Sequence, residues 1–243
     1  MLARAKVTGS SLGSWQKIFV AKVKAGSDVH FGSRLAFTDE FVFMTVGDRG
    51  KRDYAQDLNY HNGKVLRLTL LGKPADGNPF IGKPGLDEIW SYGHRNPQGL
   101  VFASDRLYSI EFGPRGGDEL NLVLKGKNYG WPKVTYGREY WGPRIGKKSL
   151  PGMQSPITHW TPSISPSGLA YVAPSVIKSW SEPSFLLACL GSQQLRRVVM
   201  NAGQVKSQQE LFKNLNERVR HVAISPDKKI YFSTDSGFVY KVQ

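Results

Sequence analysis

The chain has 243 residues, of which 40% are hydrophobic and 12% aromatic, so it can form a packed core and is not a disordered chain. Its 33 basic and 19 acidic residues give a net charge of +14, which raises the question of a polyanionic partner such as nucleic acid. The basic residues are spread over the whole chain without a long basic run. This pattern argues against nucleic acid as a partner and favours a basic cleft for a small anionic ligand.

Neither a membrane span nor a targeting signal is visible in the sequence. No apolar run approaches the length of a membrane-spanning helix, and the first residues, MLARAKVTGSS, lack the apolar region of a signal peptide. We therefore expect no membrane span. Either the protein is cytoplasmic or this chain lacks its natural beginning.

A strand–turn–strand pattern recurs along the chain, while amphipathic helix patterns are scarce. The 26 glycines and 14 prolines favour many turns and hence many short strands. The repeats occupy residues 34–48, 99–113, 168–190 and 221–242. Their first strands, aligned at Leu35, Leu100, Leu169 and Val222, are separated by 65, 69 and 53 residues.

These repeats predict an all-β fold. One hairpin cannot bury its apolar face alone, so repetition at this period predicts a β-propeller in which each hairpin belongs to a four-stranded blade. We predict a single, partial β-propeller domain over residues 1–243, with roughly four blades. Residues 4–23 look like the end of a blade, so we expect a larger propeller whose first part is missing. A β-sandwich is the alternative, although its strands usually recur at shorter and more even spacing.

A histidine and an aspartate flank the first predicted hairpin. His30 lies just before its first strand, and Asp48 follows its second strand. These two ends lie on the same side of a sheet, so the carboxylate can hold one imidazole nitrogen and leave the other as a base. The alternative is a loop histidine and a turn aspartate that are each solvated.

The stretch GHRNPQGL (93–100) precedes the second hairpin and concentrates polar groups in a turn. The Asn-Pro pair favours a turn. The planar fork of Arg95 and the amide of Asn96 suit a flat ligand with carbonyl and carboxylate groups. A rigid corner whose side chains tie down backbone groups explains them equally well. We expect His94 to support this turn rather than to act in catalysis.

Two further clusters carry charge. GGDE (116–119) offers two carboxylates beside flexible backbone, and calcium prefers such oxygen ligands, although acidic turn residues are often merely solvated. Arg218 and Arg220 stand at i and i+2 before the last hairpin, so they share a face if the strand has begun. Two guanidinium groups on one face repel unless an anion lies between them. Two exposed arginines on a basic surface are the alternative.

Several motifs, in this order, resemble the soluble aldose sugar dehydrogenases of the glucose/sorbosone dehydrogenase type. They are HFGSRL (30–35), GDRG (47–50), AQDLNYHNGKVLRL (55–68), EIWSYGHRNPQGL (88–100), GPRGGDELNLV (113–123), GKNYGWP (126–132) and WTPSISPSG (160–168). Members of this family are six-bladed quinoprotein propellers that use pyrroloquinoline quinone (PQQ) and calcium. The resemblance does not cover the family's first blades.

The resemblance implies a role for each matching residue. His30 resembles the base that takes the proton of the sugar's anomeric hydroxyl, and Asp48 resembles the residue that orients it. The implied cofactor-binding residues are Arg95, Asn96, Ser163, Arg218 and Arg220. The backbone carbonyls of Gly113 and Pro114 match the ligands of the cofactor's calcium. Glu119 and the backbone of Tyr129 resemble a second, structural calcium site.

The resemblance also implies a reaction and a location. A hydride passes from an aldose to PQQ, which gives a lactone, and an external electron acceptor then reoxidises the cofactor. The family is periplasmic or secreted. Closing the propeller is expected to need the missing N-terminal blades or a partner segment. The alternative function is a non-catalytic propeller that binds a protein or a glycan.

Overall fold

The computed structural model describes residues 1–24, 27–174 and 176–242. Within these ranges the chain forms short β strands and two 3-10 helices, Arg52–Ala55 and Lys213–Leu215. The strands are β1 Leu2–Arg4, β2 Val7–Thr8, β3 Ser11–Leu12, β4 Gln16–Phe19, β5 Gly32–Phe37, β6 Phe41–Val46, β7 Lys64–Thr69, β8 Ile89–Tyr92, β9 Pro97–Ala103, β10 Arg106–Glu111, β11 Asp118–Leu122, β12 Thr158–Trp160, β13 Pro166–Val172, β14 Ser184–Cys189, β15 Gln194–Asn201, β16 Gln204–Leu211, β17 Val219–Ile224, β18 Ile230–Thr234 and β19 Val239–Lys241. No helix in this part of the chain is long and apolar enough to cross a membrane.

Four antiparallel meanders follow one another along the chain. They are the sheets β5-β6-β7-β8, β9-β10-β11-β12, β13-β14-β15-β16 and β17-β18-β19, while β1 pairs with β4 and β2 with β3. The four predicted hairpins are present, and each one begins a meander. The prediction of an all-β chain built from repeated hairpins is therefore confirmed. Four sheets packed in series are not the two layers of a β-sandwich.

The first strands of consecutive meanders lie side by side, β5 next to β9, β9 next to β13, and β13 next to β17. Two glycines permit this close approach. A Cβ atom added at Gly99 would lie 2.7 Å from the Cβ of Leu169, and one added at Gly168 would lie 3.0 Å from the Cα of His221. Blades pack around the axis of a β-propeller in the same manner.

The hydrophobic core is divided among the spaces between consecutive sheets. Strand β14 has all six of its residues buried, because sheets cover both of its faces, whereas the outer strand β16 is mostly exposed. Four buried clusters alternate with the sheets, and representative members are Leu2 with Met44, Phe43 with Leu100, Ile110 with Leu187, and Leu186 with Val222. The single cysteine, Cys189, belongs to one of them, and burial raises its pKa to about 12.

Lys64 is a fully buried lysine at the start of β7. Its Nζ donates to the carbonyl oxygens of Tyr54 at 2.9 Å, Ala55 at 3.0 Å and Asn62 at 2.7 Å, so each of the three ammonium hydrogens has an acceptor. Burial lowers the pKa of Lys64 to about 7. These carbonyls belong to the connection between β6 and β7, so the ammonium group fixes that connection against the sheet.

Replacing Lys64 tests this role. We expect Lys64→Met to lower the free energy of unfolding by about 3 kcal/mol at pH 6, because buried carbonyl groups lose their donors. Lys73→Met, at an exposed position, is the control and should change it by less than about 0.5 kcal/mol. Urea unfolding followed by circular dichroism measures both. Equal stability of the two variants would contradict the structural role of the ammonium group.

Candidate active site

The histidine and the aspartate that flank the first hairpin are in contact. His30 Nδ1 lies 2.6 Å from Asp48 Oδ1. His30 precedes β5, Asp48 follows β6, and Gly32 pairs with Val46, so the hairpin brings both ends to one edge of the sheet. The side chain of Asp48 is 1% exposed and that of His30 is 20% exposed. The carboxylate is therefore buried behind an imidazole that solvent or a ligand can reach.

The hydrogen bond determines which nitrogen of His30 carries the proton. A carboxylate only accepts, so Nδ1 donates, and in the neutral imidazole Nε2 is then the acceptor; Nε2 has no hydrogen-bond partner among the described residues. The backbone of His30 is left-handed, with a φ of 54°. A Cβ atom added at Gly47 would lie 1.9 Å from the His30 carbonyl oxygen, so only glycine fits there.

Asp48 is held from several directions. Its Oδ2 accepts from Trp131 Nε1 at 2.8 Å, and its Oδ1 also accepts from the Gly50 amide at 2.8 Å. Its own amide donates to the Arg95 carbonyl oxygen at 2.8 Å. Sequence reasoning did not identify Trp131, which lies 83 residues away along the chain. This carboxylate therefore joins the first hairpin to the turn before the second.

His94 supports the turn GHRNPQGL, as expected from the sequence. It is fully buried, with Nε2 at 2.9 Å from Ser91 Oγ and Nδ1 at 3.1 Å from Glu111 Oε1. Its ring stacks on Tyr129 with the centroids 4.5 Å apart. Oε2 of Glu111 accepts from the Arg95 amide at 2.7 Å. Glu111, which the sequence did not single out, thus orients both the histidine and the arginine that follows it.

Arg95 and Asn96 line a cavity together with His30. The cavity has a volume of about 370 Å³, and its walls also include Gly113, Arg115 and Ser163. Arg95 Nη1 donates to the Phe112 carbonyl oxygen at 3.1 Å, whereas its buried Nε has no partner among the described residues. Asn96 Oδ1 accepts from the Gly32 amide at 3.3 Å. The predicted base and two predicted cofactor-binding residues thus share one polar cavity.

Ser163 lines this cavity, and its side chain is held in place by a buried aspartate. Its Oγ donates to Asp118 Oδ2 at 2.7 Å, and the Ile164 amide donates to the same oxygen at 2.7 Å. The other oxygen, Oδ1, accepts from the Gly113 amide at 2.9 Å. Burial raises the pKa of Asp118, and these hydrogen bonds oppose the rise. Asp118 and Glu119 are buried strand residues of β11, so the alternative of solvated turn acids is wrong.

Gly113 and Pro114 are the predicted ligands of a cofactor calcium, and of the two only Gly113 lines the cavity. The Pro114 carbonyl oxygen accepts from the Arg138 amide at 3.1 Å and keeps a second lone pair. The Gly113 carbonyl has no hydrogen-bond partner among the described residues. No group of three acidic, histidine or cysteine side chains in the described ranges could hold a metal ion. A cation here therefore depends on carbonyl oxygens.

Glu119 and Tyr129, the second predicted calcium site, border a space of about 10 Å³ that suits one ion or one water. Glu111 lines it as well, and Asn121 Nδ2 donates to both carboxylates, at 3.1 Å to Glu111 and 3.2 Å to Glu119. Burial and the negative charge of Glu111 raise the pKa of Glu119 well above its ordinary value. A bound cation would relieve this repulsion, so the donor set fits calcium.

Arg218 and Arg220 do share a face, and the anion between them belongs to the chain. Asp235 Oδ2 accepts from Arg218 Nε at 3.0 Å, and Oδ1 accepts from Arg220 Nε at 2.7 Å. Both ion pairs lie close to solvent, because the side chain of Arg218 is 53% exposed and that of Arg220 is 45% exposed. The two arginines pull down the pKa of Asp235, Arg220 most strongly. Neither arginine lines the cavity that contains His30.

The comparison with known families agrees with this arrangement. Residues 1–241 match the profile of the family described as Glucose / Sorbosone dehydrogenase. The chain belongs to this family. Aldose sugar dehydrogenase YliI of Escherichia coli (strain K12) is 36% identical over 242 residues, which are 96% of this chain and 65% of that relative. The chain thus spans less than two thirds of the length of this curated relative.

Solved structures extend the comparison for this member of the glucose/sorbosone dehydrogenase family. The apo form of the soluble aldose sugar dehydrogenase from Escherichia coli superposes with a TM-score of 0.91 at 34% identity, covering 96% of this chain and 70% of that one. The PQQ-bound aldose sugar dehydrogenase from Streptomyces coelicolor superposes with a TM-score of 0.76 at 32% identity, covering 94% and 62%. The all-β fold is therefore that of solved members of the family.

Glu119 should make the stability of this family member depend on both pH and calcium. Folding raises the pKa of the Glu119 carboxyl group, so the folded protein loses stability as the pH increases above 4.5, the ordinary pKa of this group. The amide of a glutamine does not titrate and has no such effect. We therefore expect Glu119→Gln to have a higher urea midpoint than the wild type at pH 8 without calcium, and a similar midpoint near pH 4.

Calcium should reverse this order. At a concentration 100 times its dissociation constant, calcium is expected to stabilise the wild type by about 2.7 kcal/mol and the variant by less. Glu40→Gln, at an exposed position, is the matched control and should respond as the wild type does. An identical calcium response of Glu119→Gln would remove Glu119 from the set of metal ligands.

Proposed function

We propose that the protein is a PQQ-dependent sugar dehydrogenase that oxidises aldoses at the anomeric carbon to lactones. The observation that carries the proposal is the 2.6 Å hydrogen bond between His30 Nδ1 and Asp48 Oδ1 beside a polar cavity. It leaves Nε2 as a proton acceptor. Family membership and the PQQ-bound relative from Streptomyces coelicolor support the choice of reaction and cofactor.

The residues around the cavity fit a flat, anionic cofactor. A volume of about 370 Å³ falls in the usual range for small-molecule sites, about 300–1,000 Å³. Arg95 and Arg115 supply positive charge, and Arg95 Nε is a buried donor without a partner among the described residues. Asn96 and Ser163 add polar contacts. These four residues would hold PQQ, which when bound supplies a quinone that accepts a hydride.

Calcium is proposed at two places. The carbonyl oxygens of Gly113 and Pro114 would hold one ion, which would supply Lewis-acid chemistry to the cofactor. Glu119, with Glu111 and the backbone of Tyr129, would hold the other as a structural ion. Support for the second site comes from two buried carboxylates that both accept from Asn121 Nδ2.

The chain's own residues then perform the proton chemistry. His30 Nε2 takes the proton of the anomeric hydroxyl, and the positive charge that forms on the ring is stabilised by the buried carboxylate of Asp48. Trp131 and the Gly50 amide hold that carboxylate in place, so it does not rotate as the charge develops. Arg95 and Asn96 orient the partner that accepts the hydride.

Arg218 and Arg220 are proposed to bind cofactor carboxylates. Their exposure makes them accessible, and their two forks already hold one carboxylate, that of Asp235. A cofactor carboxylate would have to share or displace this partner. The contact therefore depends on a rearrangement of Asp235.

The wider setting belongs to the same proposal. We propose that the meanders are blades of a six-bladed propeller, of which this chain supplies about four; meanders with adjacent first strands support this. Additional N-terminal blades or a partner segment would close the ring. The proposed location is the periplasm or the cell exterior, where an external acceptor reoxidises the cofactor.

Dye reduction by the purified protein tests the function. With PQQ and calcium added, we expect several aldoses to reduce an electron-accepting dye. His30→Ala should lower kcat by about 10²–10⁴-fold, because the general base is lost. A PQQ titration, followed by the absorbance of the bound cofactor, should give a dissociation constant within about threefold of that of the wild type, because His30 is not a proposed cofactor ligand.

A matched pair of aspartates separates catalysis from general charge effects. Asp48→Asn should lower kcat at least about tenfold, because a neutral amide lacks the negative charge that stabilises the imidazolium ion of His30. Asp53→Asn, at an exposed position in the 3-10 helix that follows, should leave kcat unchanged. A His30→Ala variant with wild-type kcat would overturn the mechanism. A folded protein that binds no PQQ would favour a non-catalytic propeller.

A further inference from the structure

A second pocket lies outside the candidate active site, on the far side of the loop that carries Gly113 to Gly117. It has a volume of about 200 Å³, and the residues that line it include Arg138, Arg144, Lys148, His159, Thr135 and Thr161. None of its lining residues belongs to the cavity that contains His30. The proposed reaction uses none of these side chains.

A short hairpin forces two of the cations together. Arg138 and Arg144 are cross-strand neighbours in an antiparallel bridge, closed by the Glu139 amide donating to the Pro143 carbonyl oxygen at 2.9 Å. Like charges placed directly opposite each other destabilise such a pair. The carboxylate of this hairpin does not compensate, because Glu139 Oε1 pairs with Arg52 at 2.6 Å.

Two other groups of converging cations in the described chain have a carboxylate between them. Asp235 bridges Arg218 and Arg220, and Glu210 accepts from both Arg196 and Lys213. In the second pocket, by contrast, no described carboxylate lies within 4.0 Å of a side-chain nitrogen of its four basic residues. The pocket therefore concentrates positive charge without an internal counter-ion.

Two hydroxyl groups add donors to the same space. Thr135 Oγ1 accepts from the Gly137 amide at 3.1 Å, and Thr161 Oγ1 accepts from the Gly117 amide at 3.0 Å. Neither hydroxyl donates a hydrogen bond to any described residue, so each still has its hydrogen to give. With guanidinium forks and an ammonium group nearby, the side chains offer mainly donors and positive charge.

We propose that this pocket binds a tetrahedral oxyanion of the phosphate or sulfate type, either free or carried by a sugar. The volume is below the usual range for drug-sized ligands, about 300–1,000 Å³, and suits a small anion. Charge-assisted hydrogen bonds from arginine and lysine are the strong contacts for such a group. This binding does not depend on the dehydrogenase reaction.

The hairpin connects the pocket to the candidate active site. The Arg138 amide donates to the Pro114 carbonyl oxygen at 3.1 Å, and the Tyr140 carbonyl oxygen accepts from Arg115 Nη1 at 2.9 Å. Tyr140 and Arg115 line the cavity of His30. The segment 138–144 is thus the wall between the two spaces, and an anion on one side contacts the same hairpin that borders the other.

Adjacent lysines provide the decisive test. Lys148 lines the pocket and Lys147 does not, although both are exposed and carry the same charge. Calorimetric titration of sodium sulfate at a constant ionic strength of about 0.15 M, where the Debye length is about 8 Å, should show saturable binding to the wild type. Lys148→Gln and Arg144→Gln should each weaken binding about tenfold, the value of one charge-assisted hydrogen bond. Lys147→Gln should weaken it less than about twofold, since diffuse charge is screened.

Further titrations identify the source of the anion. Inorganic phosphate, glucose 6-phosphate and glucose are compared under the same conditions. Tighter binding of glucose 6-phosphate than of phosphate, lost in Lys148→Gln, would show an anion carried by a sugar; equal binding of the two would show a free ion. Absence of saturable binding, or equal weakening by Lys147→Gln and Lys148→Gln, would overturn the proposal.

Discussion

The hydrophobic clusters of the described chain lie between consecutive sheets, and the remaining architecture depends on this placement. A meander of three or four strands has two faces and no core of its own, so each sheet is stable only against its neighbours. Stacking the sheets through their first strands brings the loops before those strands to one end. His30, Asn96 and Ser165, which precede β5, β9 and β13, consequently line one cavity.

Buried carboxylates then fix the loops that converge there. Asp48 gathers donors from its own turn, from His30 and from Trp131; Glu111 orients the turn at His94; and Asp118 gathers the amides around Ser163. Burying a charge without partners is very unfavourable, so each carboxylate is stable only with its donors in place. The same groups that make the loops rigid therefore also determine the orientation of the side chains at the cavity.

Contacts between residues that are close in the sequence could be predicted better than contacts between residues that are far apart in it. The hairpins could be predicted because alternation and turn residues act over a few positions, and the contact of His30 with Asp48 follows from the ends of one hairpin. The partners Trp131 and Glu111 could not, because packing of separate sheets brings them in. For Asp118, the glycine-rich neighbourhood indicated a solvated turn, but the residue begins a covered strand. The sequence indicated an anion beside Arg218 and did not identify Asp235, which follows the second strand of that hairpin, β18.

Asp235 has a consequence for any ligand of the two arginines. A tethered carboxylate is a competitor that dilution cannot remove, because its local concentration is set by the fold rather than by the solution. The apparent affinity of an incoming ligand falls in proportion to the time that Asp235 occupies the arginines. Neutral molecules gain nothing from displacing it, whereas a ligand with several negative charges gains the most. If the two arginines bind the cofactor as proposed, Asp235 would make that contact depend on the charge of the ligand.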